Sequence, residues 1–242
     1  MRRLPLLRTE RTVARELLRG ARTAAQARVV VDKAHDLARM AIAEDHRDAP
    51  PREPIACKKG CSWCCHSRVV VTEAEAVRIA AHLIERLSAS ELEALRRAVR
   101  TADEATHGRS SEERFEMRLP CPLLQGDACM VHEVRPLACV GYNSTDVAMC
   151  ERAWRDANPR YVVPSYPQQV ETAAAIQIGM VQGVRDLGLR GSALELHAAL
   201  RVVLEREGVA ERWLEGRHPF APAVVEDAQE QLDSVLARIA GN

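Results

Sequence analysis

Apolar positions recur at helical spacing through most of the first 48 residues, with Val13, Leu17, Ala21, Ala24, Ala27, Val31, Ala34 and Leu37 near one face. Gly20 interrupts the pattern. Pro50, Pro51 and Pro54 then predict an extended linker over 48–54, because proline restricts its own φ and the residue before it. Val69, Val70 and Val71 form a short β-branched run that predicts a strand. Thr72 and Glu75 have capping-box spacing, and Val77, Ala80, Ile84 and Leu87 follow on one helical face. A second helix is expected from Ser88 or Ser90, with Leu92, Leu95, Val99 and Ala102 facing inward. Towards the C-terminus Ala173, Ile176, Met180, Val181, Val184 and Leu187 make a stripe that Gly188 and Gly191 stop. Ser192 and Glu195 predict another capping box leading into Leu196, Leu200 and Val203. Val225, Ala228, Leu232, Val235 and Ile239 predict a last amphipathic helix.

These elements predict a mainly α fold with little β, at most a short hairpin, wrapped around an irregular cysteine-rich core. Three regions follow: a helical arm over 1–50, a cysteine-cluster region with an inserted α-hairpin over 51–160, and a helical region over 161–242 packing on that core. With 47% hydrophobic residues in 242, a conventional core is affordable. Lys+Arg and Asp+Glu both number 34, which removes the basic footprint that nucleic-acid binding needs. Aromatics are 3%, too few for stacking platforms along a single strand. Charge returns too early at the N-terminus for a secretory signal, and no apolar run is long enough for a membrane span. A cytoplasmic location without membrane or nucleic-acid partners is the expectation; a protein or redox partner is compatible with it.

The cysteines change the picture. Cys57, Cys61, Cys64 and Cys65 fall within nine residues, and Cys121, Cys129, Cys139 and Cys150 complete the set of eight. In a reducing compartment such a group points to metal or redox chemistry rather than disulfides. Clustered thiolates suit zinc or iron–sulfur centres, so all eight are candidate metal ligands. Cys61 and Cys64 form a CxxC turn that Gly60 frees, and Lys58 and Lys59 would offset thiolate charge. Adjacent side chains normally diverge, so Cys64 and Cys65 on one mononuclear ion is awkward; a cluster, two sites or one spectator cysteine are the alternatives. Only one such knuckle is present, which leans towards iron–sulfur. The Cys57-x3-Cys61-x2-Cys64 spacing also matches the radical S-adenosylmethionine motif, but the repeated strand–helix units of a barrel are missing. Further on, Gly126-Asp127 predicts a turn that returns Cys121 towards Cys129, and Pro136 opens a short helix delivering Cys139.

These spacings resemble the YkgJ-type cysteine-cluster family, described as zinc- or iron-chelating. The match rests on the CxxxCxxCC group at Cys57 to Cys65 and on the block from Cys121 through Glu133, Arg135 and Pro136 to Cys139, and it extends to Cys150. Two positions depart from the family pattern: His132 stands where relatives usually carry Tyr, and Val140 where they usually carry Arg. The first implies a packing slot for His132 rather than ligation. The resemblance implies metal chelation; the thiolate donors themselves suggest an iron–sulfur cluster or zinc with a redox or sensing role. A structural zinc-binding interaction module is the alternative. Flagellin lysine N-methylases look similar in their cysteine cluster and add a protein methylase as a further one, and no reaction or catalytic residue is handed over. Beside the cluster, His66 is expected to face solvent or to support a ligand, Trp63 to shield the metal or fill the core, and Arg135 to hydrogen-bond near the site or sit in a surface ion pair. Asp127 and Glu133 are expected in turn and surface roles.

Overall fold

The computed structural model describes residues 3–158 and 160–240. Helices α1 (Leu4–Leu18) and α2 (Ala24–Asp48) precede β1 (Val70–Val71), α3 (Glu73–Arg86), α4 (Ala89–Thr106) and α5 (Ser111–Glu116). The hairpin strands β2 (Leu124–Gln125) and β3 (Ala128–Cys129) lead to α6 (Leu137–Gly141), α7 (Val147–Arg155) and α8 (Pro167–Arg185). The chain finishes with β4 (Leu194–Glu195), α9 (Leu196–Glu205), α10 (Val209–Leu214) and α11 (Glu226–Ala240). The fold is mainly helical, as the periodicity predicts. None of the helices among the described residues is long and apolar enough to cross a membrane.

Local chemistry explains most element boundaries. Gly20 takes a φ of +72°, a conformation that ends α1, and Thr23 opens α2 with a capping box to Gln26. Thr72 and Glu75 form the predicted capping box of α3, and Ser88 with Glu91 forms that of α4. Ser192 does not cap α9. Its amide donates instead to Glu73 Oε2 at 3.0 Å, while Glu195 is itself the N-cap and accepts from the Ala198 amide at 2.9 Å. Residues 194–195 were drawn into β4 by antiparallel pairing with β1, Val70 opposite Glu195 and Val71 opposite Leu194, which moves the helix start past the sequence motif. Ile84 also differs from expectation: it is 53% exposed, because α3 buries Ala76, Ile79, Ala80 and Leu83 and turns the next position outward. On α11 the buried residue is Leu236, beside the half-buried predicted stripe.

Helix α8 is the platform on which the rest sits. Its predicted stripe of Ala173, Ile176, Met180, Val181 and Val184 is buried, and beside it Gly179 and Gly183 lie where α1 crosses. A Cβ on Gly179 would lie 3.0 Å from the Glu10 Cβ and inside contact with the Leu7 carbonyl oxygen. One on Gly183 would meet the Ala14 Cβ at 2.8 Å and the Arg11 carbonyl oxygen. The two backbones therefore approach more closely than ordinary helix pairs, whose axes lie about 8–10 Å apart. This is why α1 buries Leu7, Glu10, Ala14 and Leu18 and leaves Leu17 exposed, a face that differs from the sequence stripe. Helix α6 seats on the same platform through Gly141, whose added Cβ would meet Ala173 at 2.8 Å. One continuous core joins Ala14 and Val31, Ile79 and Leu83, Ile176 and Met180, and Leu200 and Trp213.

Candidate metal centre

Three stretches of backbone bring the cysteines together. In the first, Gly60 takes a φ of +90°, and the Cys61 amide closes onto the Lys58 carbonyl at 3.0 Å. A single 3-10 turn over Trp63–His66 follows, with the Cys65 amide on the Ser62 carbonyl at 2.9 Å. In the second, Gly126 (φ +57°) turns the β2–β3 hairpin at the predicted place, and the register sets Leu124 opposite Cys129. Pro136 opens α6, which carries Cys139. In the third, Asp146 caps α7 by accepting from the Met149 amide at 3.0 Å, and α7 presents Cys150.

Specific hydrogen bonds tie these stretches to one another. The Cys121 amide donates to the Cys65 carbonyl at 2.7 Å, so the two cysteine blocks touch through their backbones. The Arg114 guanidinium is buried between them and donates to the carbonyls of His66 at 3.1 Å and Leu119 at 2.9 Å. Ser62 Oγ donates to Asp127 Oδ1 at 3.1 Å, joining the hairpin turn to the first block. Buried Glu75 completes its own helix cap with one carboxylate oxygen, and with Oε1 it accepts from the Leu137 amide at 2.7 Å. The first turn of α6 is thereby pinned, and with it Cys139. Ser144 joins the first and third stretches: its carbonyl accepts from the Ala56 amide at 2.8 Å, and its amide donates to Cys57 Sγ at 3.2 Å.

All eight cysteines are free thiols. Cys57 is exposed and the others are half-buried. Their electrostatic influence on one another runs across all three stretches. Cys57 feels Cys64, Cys61 and Cys150, and Cys150 feels Cys61 and Cys64. Cys139 feels Cys121, Cys64 and Cys129, and Cys121 feels Cys129. Cys64 is common to both groups. Its thiol pKa is raised chiefly by hydrogen bonding with Cys65 and then by burial. Burial pushes the Cys121 thiol up to about 12 and raises Cys139 well above the ordinary thiol value. Amides of Leu123 and Val131, each two residues beyond a cysteine, favour the thiolates of Cys121 and Cys129, as the Ser144 amide does for Cys57. Among the described residues no three His, Cys, Asp or Glu side chains close to coordination geometry. A cation replacing thiol protons would supply the attraction that draws such sulfurs together.

The surrounding residues divide into supports and shields. The Arg135 charge lowers the cost of thiolate at Cys64, Cys129 and Cys139, and its guanidinium hydrogen-bonds His132. Lys58 and Lys59 are exposed, so the nearest cationic help to these sulfurs comes from Arg135. Glu133 pairs with Arg86 at the surface at 3.0 Å. His66 does not face solvent: it is 8% exposed and packs against Trp154 at a 5.3 Å ring separation. Burial lowers its pKa, so it stays neutral. Trp63 packs on the same Trp154 ring at 5.3 Å. Beside them lies a cavity of about 300 Å³ walled by Trp63, Phe115, Tyr142 and Tyr161, half of the aromatic side chains in the chain, with Cys64 and Cys150 on its floor.

Sequence reasoning does not find Arg114 or Ser144, because no local spacing marks a residue whose partners are carbonyls and sulfur far away in the chain. Glu75 is visible only as half of a capping box; its second task, on α6, depends on tertiary contact.

Residues 56–158 match the model of a family described as a putative zinc- or iron-chelating domain, CxxCxxCC. No curated protein and no solved structure matches the chain significantly. The matched segment begins one residue before Cys57 and ends beyond Cys150, so it takes in every thiol of the constellation and the backbone links between them. Residues 56–158 thus match the same cysteine-cluster, zinc- or iron-chelating domain that the cysteine spacings resemble.

Proposed function

We propose that Cys57, Cys61, Cys64, Cys65, Cys121, Cys129, Cys139 and Cys150 hold an iron–sulfur cluster, and that the protein serves a redox or sensing role. The observation that supports this most is the donor set: eight free thiols carried on three stretches of chain that hydrogen bonds tie to one another. All-sulfur donors select zinc or iron–sulfur over hard cations. Amide hydrogen bonds to sulfur, such as Ser144 N–H to Cys57 Sγ, are among the features that set a cluster's reduction potential. A second reading, structural zinc, is favoured by the paired amides at Cys121 and Cys129, whose i+2 arrangement is that of a metal knuckle.

Anaerobic purification followed by iron, zinc and acid-labile sulfide analysis separates the two. Iron with matching sulfide, and visible absorbance that bleaches on reduction, is the expected result. Colourless protein with stoichiometric zinc supports the structural reading, and folded protein with neither metal defeats both. Replacing Cys64 and Cys65 separately by serine is expected to lower metal content in each case, since both thiols stand in the constellation; full retention in either variant would make that cysteine a spectator.

A further inference from the structure

Away from the cysteines, a cavity of about 520 Å³ opens where the C-terminal end of α4, the start of α9 and residues 222–227 meet. Asp103 on α4 and Glu195 on β4 both line it, and one oxygen of each is buried without a hydrogen-bond partner among the described residues. Asp103 is 7% exposed. Its Oδ2 accepts from Arg201 Nη1 at 2.9 Å, whereas Oδ1 has only the His107 ring nitrogen at 3.9 Å, beyond hydrogen-bond range. Glu195 gives Oε2 to the Ala198 amide, and its Oε1 lies 3.7 Å from His197 Nδ1. That ring does not serve it: the Thr106 hydroxyl donates to the Ala102 carbonyl at 2.7 Å, so the Nδ1 proton goes to Thr106 Oγ at 3.3 Å. Arg114, the cation that acts on Glu195 from the core, gives its hydrogen bonds to the His66 and Leu119 carbonyls. The wall is also short of positive charge. Five carboxylates line it against two guanidiniums, and Arg68 and Arg109 are each held by one of those carboxylates, Asp227 at 2.6 Å and Glu113 at 3.3 Å. Arg201 is shared among Asp103, Glu104 and Glu205.

We infer that this cavity binds a primary alkylammonium ion, its –NH3+ held by Asp103 Oδ1 and Glu195 Oε1 and its carbon stem lying on Ala198, Pro222 and Val224. A buried carboxylate oxygen is costly until a donor meets it, and two such oxygens share one cavity here. Each carboxylate has a single oxygen to offer, so neither accepts the two parallel bonds by which a guanidinium prefers to bind. An ammonium carries three diverging donors and makes single bonds to separate walls. A calcium ion takes about six to eight oxygens, and among the described residues no three metal-ligating side chains gather. The volume suits a small organic molecule, and the apolar residues beside the carboxylates suit its stem. The site shares no residue with the cysteine cluster, so it stands whether or not the thiols hold metal.

Isothermal titration calorimetry of the full chain tests this with n-hexylammonium, n-hexylguanidinium, 1-hexanol and calcium. The titrations are run at pH 8, above the value of about 7 to which burial raises Glu195. Saturable binding of one n-hexylammonium per chain is expected, about tenfold or more tighter than any of the other three. Glu195→Gln and Asp103→Asn are each expected to weaken it about tenfold or more, since each replaces a charged acceptor by a neutral one. Helical circular dichroism of both variants guards against unfolding, and the ranking of ligands on the wild type stands without them. Metal content measured in every sample keeps an effect at the cysteines apart from one at this cavity. Guanidinium, alcohol or calcium bound as tightly as the ammonium, or full affinity in both folded variants, would overturn the assignment. So would the absence of saturable ammonium binding, which would leave water as the partner of the two oxygens.

Discussion

Replacing Gly183 by valine is expected to destabilise the fold by about 3 kcal/mol, the upper end of what overpacking a close contact costs. The sign is the informative part. In an open helix interior, glycine to alanine gains about 1 kcal/mol from propensity. Here a Cβ at position 183 meets the Ala14 Cβ at 2.8 Å and backbone of α1. Backbone cannot rotate away as a flexible side chain can, so α1 must lift from α8. Alanine at 183 is therefore expected to destabilise despite its better propensity, and valine to do so further. For a chain of 242 residues, 3 kcal/mol corresponds to a melting temperature lower by about 10 °C. The effect reaches the sulfurs, because α8 also supports α6 and Cys139 through the Gly141–Ala173 contact. Faster metal release from the Gly183→Val protein is expected alongside the lower melting temperature. Calorimetry of the alanine and valine variants decides the matter; an alanine variant as stable as the wild type would show that the two helices can part freely.

What the sequence makes legible is what short-range chemistry decides. The capping boxes at Thr72–Glu75 and Ser88–Glu91, the Gly126 turn and the Pro136 helix start all form as their local residues require. Each uses partners within a few positions, and no tertiary contact opposes them. The motif at Ser192–Glu195 fails for the converse reason: pairing of β4 with β1 takes those residues first. Val77 and Ala80 of the expected α3 stripe are buried, but near the helix end Leu83 turns inward and Ile84 outward, which the spacing alone does not decide. Cysteine spacing points to the domain model that residues 56–158 match, yet it contains no trace of Arg114, Ser144 or the Glu75 bond to α6. Those contacts link positions 48, 87 and 62 apart in sequence. The Gly179–Gly183 pair is likewise silent: spacing of four suits close approach, but only the fold names the partner helix.

The core also contains a carboxyl group without a hydrogen-bond partner, and this gives the second large effect. Glu10 lies at the α1–α8 crossing, fully buried, and neither carboxylate oxygen has a hydrogen-bond partner among the described residues. Burial raises its pKa from 4.5 to about 8. The folded protein therefore holds a proton on Glu10 that the unfolded chain releases near 4.5, and between those values folding takes up a proton. Stability from this group is present below the unfolded pKa and falls as pH rises through the folded one. Glu73 and Glu195, both raised to about 7 by burial, act in the same direction, whereas His197, lowered to about 3, acts oppositely and only in more acidic solution. Comparing wild type with Glu10→Gln cancels these other groups. Between about pH 6 and about pH 9 the wild type is expected to lose about 2.5 kcal/mol relative to the glutamine variant. Urea unfolding of both proteins across that interval measures the difference directly. Parallel pH profiles would mean that Glu10 is ionised in the folded state, with water or a shifted α1 reaching it, and would break the close helix contact on which the platform for Cys139 is built.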